Sequence, residues 1–258
     1  MSLPLPIPTI FAHRGASAYA PENTIAAFEL AVKQEANAIE LDAKLTADGE
    51  VVVFHDQSVE RTTGSRGRVG ELTLAELRKL DAGSHFDVSF RGEPIPSLGD
   101  VFETIGKKIF INIELTNYAS LNDSLPETVA ALVSKYDLAE WVMFSSFNPI
   151  ALWRIRRLLP QIPTGLLALQ GRNGALARSF LGHLLRYEAL HPHLEDVTKS
   201  LVAKTHRRGC RMYVYTVNQA DDMRRLISLG VDGFFTDDPV MAKSVLDSPV
   251  PSQFQKPG

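Results

Sequence analysis

Short apolar runs rich in Ile, Val and Phe alternate along this chain with longer amphipathic stretches. Alternation of that kind argues for βα units built around a parallel sheet. The apolar runs fall at Pro8–His13, Ala38–Lys44, Lys108–Leu115, Trp141–Ser146, Thr164–Leu169, Arg186–Leu190, Arg211–Val217 and Gly233–Thr236, the sixth being the weakest. Helical periodicity lies between them: Thr24–Gln34, a short stretch near Leu74–Leu80, Leu125–Tyr136, Pro149–Leu159, Val197–Arg208, Asp221–Leu229 and Val240–Leu246. Eight strands separated by helices predict an α/β fold, a closed TIM-type (β/α)8 barrel. Such a barrel takes about 250 residues as one domain, and this chain has 258. With no internal repeat and no Gly/Ser-rich linker, a single domain over residues 1–258 is expected.

One connection departs from the pattern. After the second strand, LTADGEVVVFHD at 45–56 carries an Asp48-Gly49 turn between apolar residues, which reads as a hairpin excursion. The polar RTTGSRGRVGELT at 61–73 and the loop DAGSHFDVSFRGEPIPSL at 81–98 follow. The stretch from about 55 to 97 is too long for an ordinary βα connection. It is expected to be a cap inserted after the second strand, over one end of the barrel. GSRGRVG lacks the G-K-[ST] ending of a P-loop, so it reads as a flexible part of that cap.

Composition narrows the function classes. Net charge is −3, so no general basic field draws in nucleic acid. Cys210 is the single cysteine, which excludes an internal disulfide and gives export no support. The opening MSLPLPIPTIFAHRG has no basic region and its apolar stretch is broken by prolines, a poor signal peptide. No run approaches the roughly 20 apolar residues of a membrane span. A soluble cytoplasmic protein without stable membrane insertion is expected, and DSPVPSQFQKPG at 247–258 reads as a frayed tail. Oligomeric state is not legible.

On a βα barrel the chemistry collects at the C-terminal ends of the strands. His13 and Arg14 close the first strand, and Glu40 and Asp42, two apart, share one face of the second. On the third, Asn112 and Glu114 share a face opposite Ile111, Ile113 and Leu115. Carboxylates thus stand where an apolar core residue would be expected. Three buried acids without partners are very costly. An isolated glutamate would most simply pair with a lysine or arginine, but three acids at neighbouring strand ends favour a divalent cation. All-oxygen ligation suits a hard ion, Mg²⁺ or Ca²⁺, better than zinc. Histidine as a residue type can give or take a proton at working pH, which makes His13 and His55 acid–base candidates. Arg14 offers a fork of donors that fits a phosphate, although a surface salt bridge is the commoner fate of an arginine.

HRGASAYAPENTIAAF at 13–28, IELDAKLTADGEVVVFHD at 39–56 and NIEL at 112–115 resemble the glycerophosphodiester phosphodiesterase family, as do YTVN at 215–218 and DGFFTDDP at 232–239. The first two motifs are long and specific; the last could belong to many barrels. The resemblance implies a TIM barrel with an inserted cap, and hydrolysis of glycerophosphodiesters to glycerol 3-phosphate and an alcohol. It implies Glu40, Asp42 and Glu114 as holders of Mg²⁺ or Ca²⁺, His13 and His55 as general acid and base, and Arg14 as a phosphate ligand. Two positions depart from the family pattern. Thr116 stands where a lysine is frequent, so a positive charge near the phosphate is either missing or supplied by Arg14 and the metal. Tyr215 stands where tryptophan is usual, on a wall of the substrate pocket.

The nucleophile is either the substrate's own glycerol hydroxyl, by way of a cyclic phosphate, or water; the sequence does not choose, nor does it say which histidine acts first. A lysophospholipase D-like activity on the same site would need an apolar groove, and a non-catalytic phosphodiester-binding barrel would be suggested by a lost histidine or acid. All five are present. His191-Pro192-His193 has a metal-like spacing but reads as a solvated turn. Trp141 and Trp153 read as packing residues, RIRR at 154–157 and THRR at 205–208 as solvated helix faces, and Cys210 has no local base.

Overall fold

The β-branched and aromatic runs of the sequence become strands because they are buried on both sides, against the barrel interior and against a ring of helices. The computed structural model describes residues 3–248 apart from 119, 121, 180, 181, 183 and 184. The expected C-terminal tail lies, from residue 249 on, outside the described residues. In chain order the strands are β1 (Thr9–Ala12), β2 (Ala38–Leu45), β3 (Val51–Val53), β4 (Phe110–Leu115), β5 (Val142–Ser146), β6 (Thr164–Ala168), β7 (Ala189–Pro192), β8 (Arg211–Val214) and β9 (Gly233–Thr236). All but β3 are parallel and run β1-β2-β4-β5-β6-β7-β8-β9, with β9 pairing back onto β1. The sheet is therefore a closed eight-stranded parallel barrel. The short β3 lies antiparallel on β2, with Ala43 opposite Val53 and Leu45 opposite Val51. Gly49, at φ 80°, supplies the left-handed residue the hairpin turn needs.

The helices are α1 (Ile25–Lys33), α2 (Glu60–Thr63), α3 (Leu74–Leu77), α4 (Leu98–Ile105), α5 (Leu125–Lys135), α6 (Pro149–Leu158), α7 (Lys199–His206), α8 (Ala220–Leu229) and α9 (Pro239–Asp247). Their starts follow capping chemistry: Thr24 accepts from Ala27 N, Asn148 from Ile150 N and Ala151 N, and Ser97 with Asp100 forms a capping box. Side chains alternate across each strand. Ile39, Leu41, Ile111, Ile113 and Phe144 pack outward under the helices, while Phe11, Phe110, Met143, Tyr213 and Phe235 fill the barrel. Leu3 and Leu5 join this inner cluster, and Arg211 donates to both their carbonyls at 2.9 Å, so the N-terminal segment closes the lower end.

Between β3 and α4 the chain makes short elements around a cluster of their own, including Val52, Phe54, Val59, Val69, Leu77 and Ile95. The GSRGRVG stretch is tied back by Val59 N to Gly67 O and Val69 N to Gln57 O, both 3.0 Å. The expected helix near Leu74–Leu80 is a single turn, capped by Thr73 and Glu76.

Some sequence expectations need correction. The sixth barrel strand lies at Ala189–Pro192, not Arg186–Leu190; Arg186 takes a left-handed turn conformation (φ 54°), and the proline is tolerated at the end of the strand. His191 is consequently a fully buried strand residue and not part of a solvated turn. Trp153 is exposed and stacked by Arg157 at 4.8 Å. The helix faces are not wholly solvated either: Arg154 pairs with Glu127, Arg156 with Glu188 and His206 with Asp232.

Candidate active site

The C-terminal ends of β1, β2 and β4 surround a cavity of about 270 Å³ at the upper mouth of the barrel. His13, Arg14, Glu40, Asp42, His55 and Glu114 all line it. The seventh residue expected there, Tyr215, walls the cavity edge-on to Phe147 at 5.8 Å, its hydroxyl held by Ala168 O at 2.9 Å. The structure thus brings together every candidate site residue of the sequence.

Strand register makes the acidic centre. Glu40 pairs with Asn112 and Asp42 with Glu114, so the three acids stand on adjacent inward faces. One oxygen from each lies within 4.8 Å of the others. Burial pushes the Glu40 carboxyl well up, helped by the charges of Asp42 and Glu114. The same burial and the charge of Asp42 carry Glu114 up to about 8. Glu40 Oε1 is buried with no hydrogen-bond partner. A carboxylate oxygen without a partner among the described residues, set among mutually repelling acids that offer only oxygen donors, fits a hard divalent cation. Tyr118 donates its hydroxyl to Glu114 Oε1 and packs edge-on to Phe147 at 5.6 Å.

The turn after β1 is built to serve this centre. Arg14 and Asn23 both hold left-handed conformations, φ 56° and 58°, a cost of about 1–2 kcal/mol for a non-glycine residue. Between them Gly15 (φ 86°) lies so close to α1 that a Cβ would sit 2.7 Å from the Ala27 carbonyl carbon. In return Arg14 N donates to Glu40 Oε2 at 3.0 Å, and Asn23 brackets Asp42, donating Nδ2–H to Oδ2 at 2.8 Å and accepting from its backbone N at 3.3 Å. The Arg14 guanidinium donates to Glu22 at 2.9 Å and stands 3.4 Å from Asp42. Burial works against its charge, and Asp42, Glu22 and Glu40 more than compensate, raising its pKa.

Each histidine has an acidic partner. His13 Nδ1 lies 2.7 Å from Asp237 Oδ1, and His55 Nδ1 lies 2.6 Å from Asp56 Oδ1. A carboxylate on Nδ1 favours the tautomer with the proton there and leaves Nε2 free. His13 Nε2 stands 4.0 Å from Glu40. Asn218 holds Asp237 from two sides, donating to Oδ2 at 2.5 Å and accepting from the backbone N at 2.9 Å. Arg61 ties Asp56 to Glu22. Burial alone would raise the Asp56 and Glu22 carboxyls; the bonds from Arg61, with His55 and Arg14 respectively, bring each down to about 2.

Known proteins of similar sequence can be set beside this chain. The model of the glycerophosphoryl diester phosphodiesterase family matches residues 13–241. The chain belongs to that family. A glycerophosphodiester phosphodiesterase of Caldanaerobacter subterraneus is 42% identical over 234 residues, covering 89% of this chain and 94% of its own. One from Bacillus subtilis is 33% identical over 242 residues, covering 88% and 83%. Among solved structures, an Oleispira antarctica phosphodiesterase in complex with the product sn-glycerol-3-phosphate superposes with a TM-score of 0.85 at 31% identity, covering 94% of this chain and 98% of that one.

Several side chains around this candidate site were not singled out by sequence reasoning: Glu22, Asn23, Asp56, Asp237, Asn218 and Tyr118. Glu22 and Asn23 were in view within APENT, whose internal polar pair between the apolar Ala20 and α1 is the signal that could have found them. On β2 Lys44 donates from Nζ to Thr116 Oγ1 at 2.7 Å. Burial pulls the Lys44 ammonium down from its ordinary pKa, against the attraction of Asp42, Glu114 and Asp56. Deeper in the cavity His191 is fully buried between Tyr213 and Phe235, held neutral by a pKa lowered to about 3.

Proposed function

We propose that this chain hydrolyses glycerophosphodiesters to glycerol 3-phosphate and an alcohol, dependent on a divalent cation. The observation that carries the reading is the convergence of three buried carboxylates with two histidines, each backed by its own aspartate, in one cavity. Glu40, Asp42 and Glu114 would hold the ion, Mg²⁺ or Ca²⁺. When bound, it supplies neutralisation of a non-bridging phosphate oxygen and polarisation of phosphorus.

The chain's own residues do the rest. Asn23 and the Arg14 backbone orient Asp42 and Glu40. Arg14 places positive charge beside the same acids and toward the phosphoryl group. His13 and His55 turn their Nε2 atoms away from their aspartates: the one that is neutral takes a proton there from the attacking hydroxyl, and the other, as the imidazolium, gives its Nε2 proton to the departing alkoxide. Such acid–base work contributes about 10²–10⁴-fold. Asp237 and Asp56 stabilise whichever imidazolium forms. Tyr215 and Phe147 wall the pocket for the organic part of the substrate.

The test is release of glycerol 3-phosphate from glycerophosphocholine and glycerophosphoethanolamine. Release from both, with the free alcohol in equal amount, supports the reading; a phosphorylated alcohol in place of glycerol 3-phosphate would reverse the assigned bond, and no cleavage would leave a binding role.

A second reading, hydrolysis of lysophospholipids at the same site, is favoured by one observation. An apolar cavity of about 330 Å³, lined by Leu166, Leu169, Leu176 and Ala177 among others, shares Phe147 and Leu167 with the catalytic one. An aliphatic chain there gains about 0.8 kcal/mol per buried methylene. A KM that falls steadily with acyl length would support it, and a KM indifferent to length would remove it.

A further inference from the structure

We propose that Lys44 is a phosphoryl-binding residue of this site, its ammonium contacting a substrate phosphate oxygen alongside the metal held by Glu40, Asp42 and Glu114. This rests on the function proposed above.

Lys44 lies on the inward face of β2, two residues past Asp42. At 3.3–3.4 Å per strand residue, about 7 Å separates neighbours on one face, within the span of a lysine side chain. The register that puts Asp42 opposite Glu114 puts Lys44 beside Thr116. The ammonium donates to Thr116 Oγ1 at 2.7 Å, and the Thr116 hydroxyl passes its own proton to Ala43 O at 2.7 Å. Lys44 is only 6% exposed. A buried cation is costly unless it is paired, yet among the described residues no carboxylate oxygen comes within 4.0 Å of Lys44 Nζ. An ammonium has three donors and no acceptor; one is used, and two have no partner among the described residues.

Arg14 makes the contrast. Its guanidinium is already engaged by Glu22 and stands against Asp42. Among the described residues Lys44 is held by a hydroxyl alone; it lies just behind the cavity wall formed by Asp42 and Glu114, and its uncommitted donors turn to an anion bound there. Charge balance points the same way. Three carboxylates with a divalent ion leave one negative charge, and Arg14 is already balanced by Glu22. Lys44 brings that set to neutral and so removes the net repulsion of a singly negative phosphodiester. The hydroxyl of Thr116 serves as the cradle that keeps the ammonium pointed across the strand end.

The variants K44M, K44R and K44M/T116K separate this role from a structural one. Because Thr116 Oγ1 and Lys44 Nζ are 2.7 Å apart, a lysine grown from position 116 can put its ammonium in the same space. The readouts are kcat/KM on glycerophosphocholine and, by calorimetry on the Mg²⁺-loaded protein, the dissociation constant for glycerol 3-phosphate. A hydrogen bond to a charged group is worth about 1.5–3 kcal/mol, so K44M should lose roughly 10- to 150-fold in kcat/KM and bind glycerol 3-phosphate at least about tenfold more weakly. K44M/T116K should recover at least about tenfold of both. A K44M protein within threefold of wild type in both readouts overturns the proposal, as does a loss that neither K44R nor K44M/T116K reverses. A wild type that cleaves no glycerophosphodiester defeats the proposed function instead, and the binding constants then still decide Lys44.

Discussion

Asp237 offers a sharp perturbation because it touches the chemistry only through His13. Its carboxylate has two oxygens in use: Oδ1 faces His13 Nδ1 at 2.7 Å and Oδ2 accepts from Asn218 Nδ2 at 2.5 Å. In D237N the amide has a single acceptor oxygen, so it satisfies either the histidine or Asn218. If the amide N–H₂ faces His13, Nδ1 must be unprotonated and the ring carries its proton on Nε2, which blocks proton uptake there and leaves an imidazolium without a partner for its Nδ1–H. If the oxygen faces His13, the ring keeps its tautomer but the imidazolium loses its counter-charge. A hydrogen bond to a charged group contributes about 1.5–3 kcal/mol. The Asp237 side chain is 35% exposed, so solvent screening places the loss toward the lower figure. At 1.36 kcal/mol per factor of ten, kcat on glycerophosphocholine should fall about tenfold for D237N with KM little changed. In an H13A background the same substitution should cost nothing further, since the residue it acts through is gone. A D237N enzyme within twofold of wild type, or an undiminished loss on top of H13A, would refute the pairing as a catalytic device.

H13A and H55A should each lower turnover by at least about 10²-fold with unchanged circular dichroism; near-normal activity in either removes that histidine from the mechanism. E114Q should weaken Mg²⁺ binding in a calorimetric titration, and an unchanged titration would move the ion elsewhere. In the metal-free protein the Glu40 and Glu114 carboxyls are raised, Glu114 to about 8. A raised carboxyl contributes its stability below the ordinary carboxylate range and loses it as pH climbs through the raised value. With EDTA the Tm should therefore fall between pH 5.5 and 8.5, and saturating Mg²⁺ should remove most of the fall; a flat Tm in EDTA would show that the acids do not repel one another as placed.

The barrel was legible because burial on both faces leaves near-continuous apolar runs, and the carboxylates stood out because Glu40, Asp42 and Glu114 interrupt such runs on their inward side. Seven of seven named site residues line one cavity for that reason. The partners of those residues were less visible, since closure decides them. His13 and Asp237 are separated by 224 positions and meet only where β9 returns to β1. Asp237 lay in DGFFTDDP, a motif that could belong to many barrels and does not by itself mark which of its aspartates faces a histidine. The sixth strand was displaced because Pro192 resembles a turn signal, and His191 was read with it; only the packing of Gly165 reveals the space its ring occupies, a Cβ there falling 2.4 Å from the imidazole. Lys44 escaped because a lysine at a strand end is ordinarily a solvated one, and its contact with Thr116 arises from register between β2 and β4. Among the described residues no helix is long and apolar enough to cross a bilayer.

The bound ion is the centre of the proposed chemistry. Glycerol 3-phosphate release from glycerophosphocholine should vanish in EDTA, return on adding Mg²⁺ or Ca²⁺, and fail to return at the same ion concentration in E40Q, whose orphaned Oε1 is then lost as an anionic ligand. Full turnover in EDTA, or an E40Q enzyme as responsive to the ion as wild type, would contradict it.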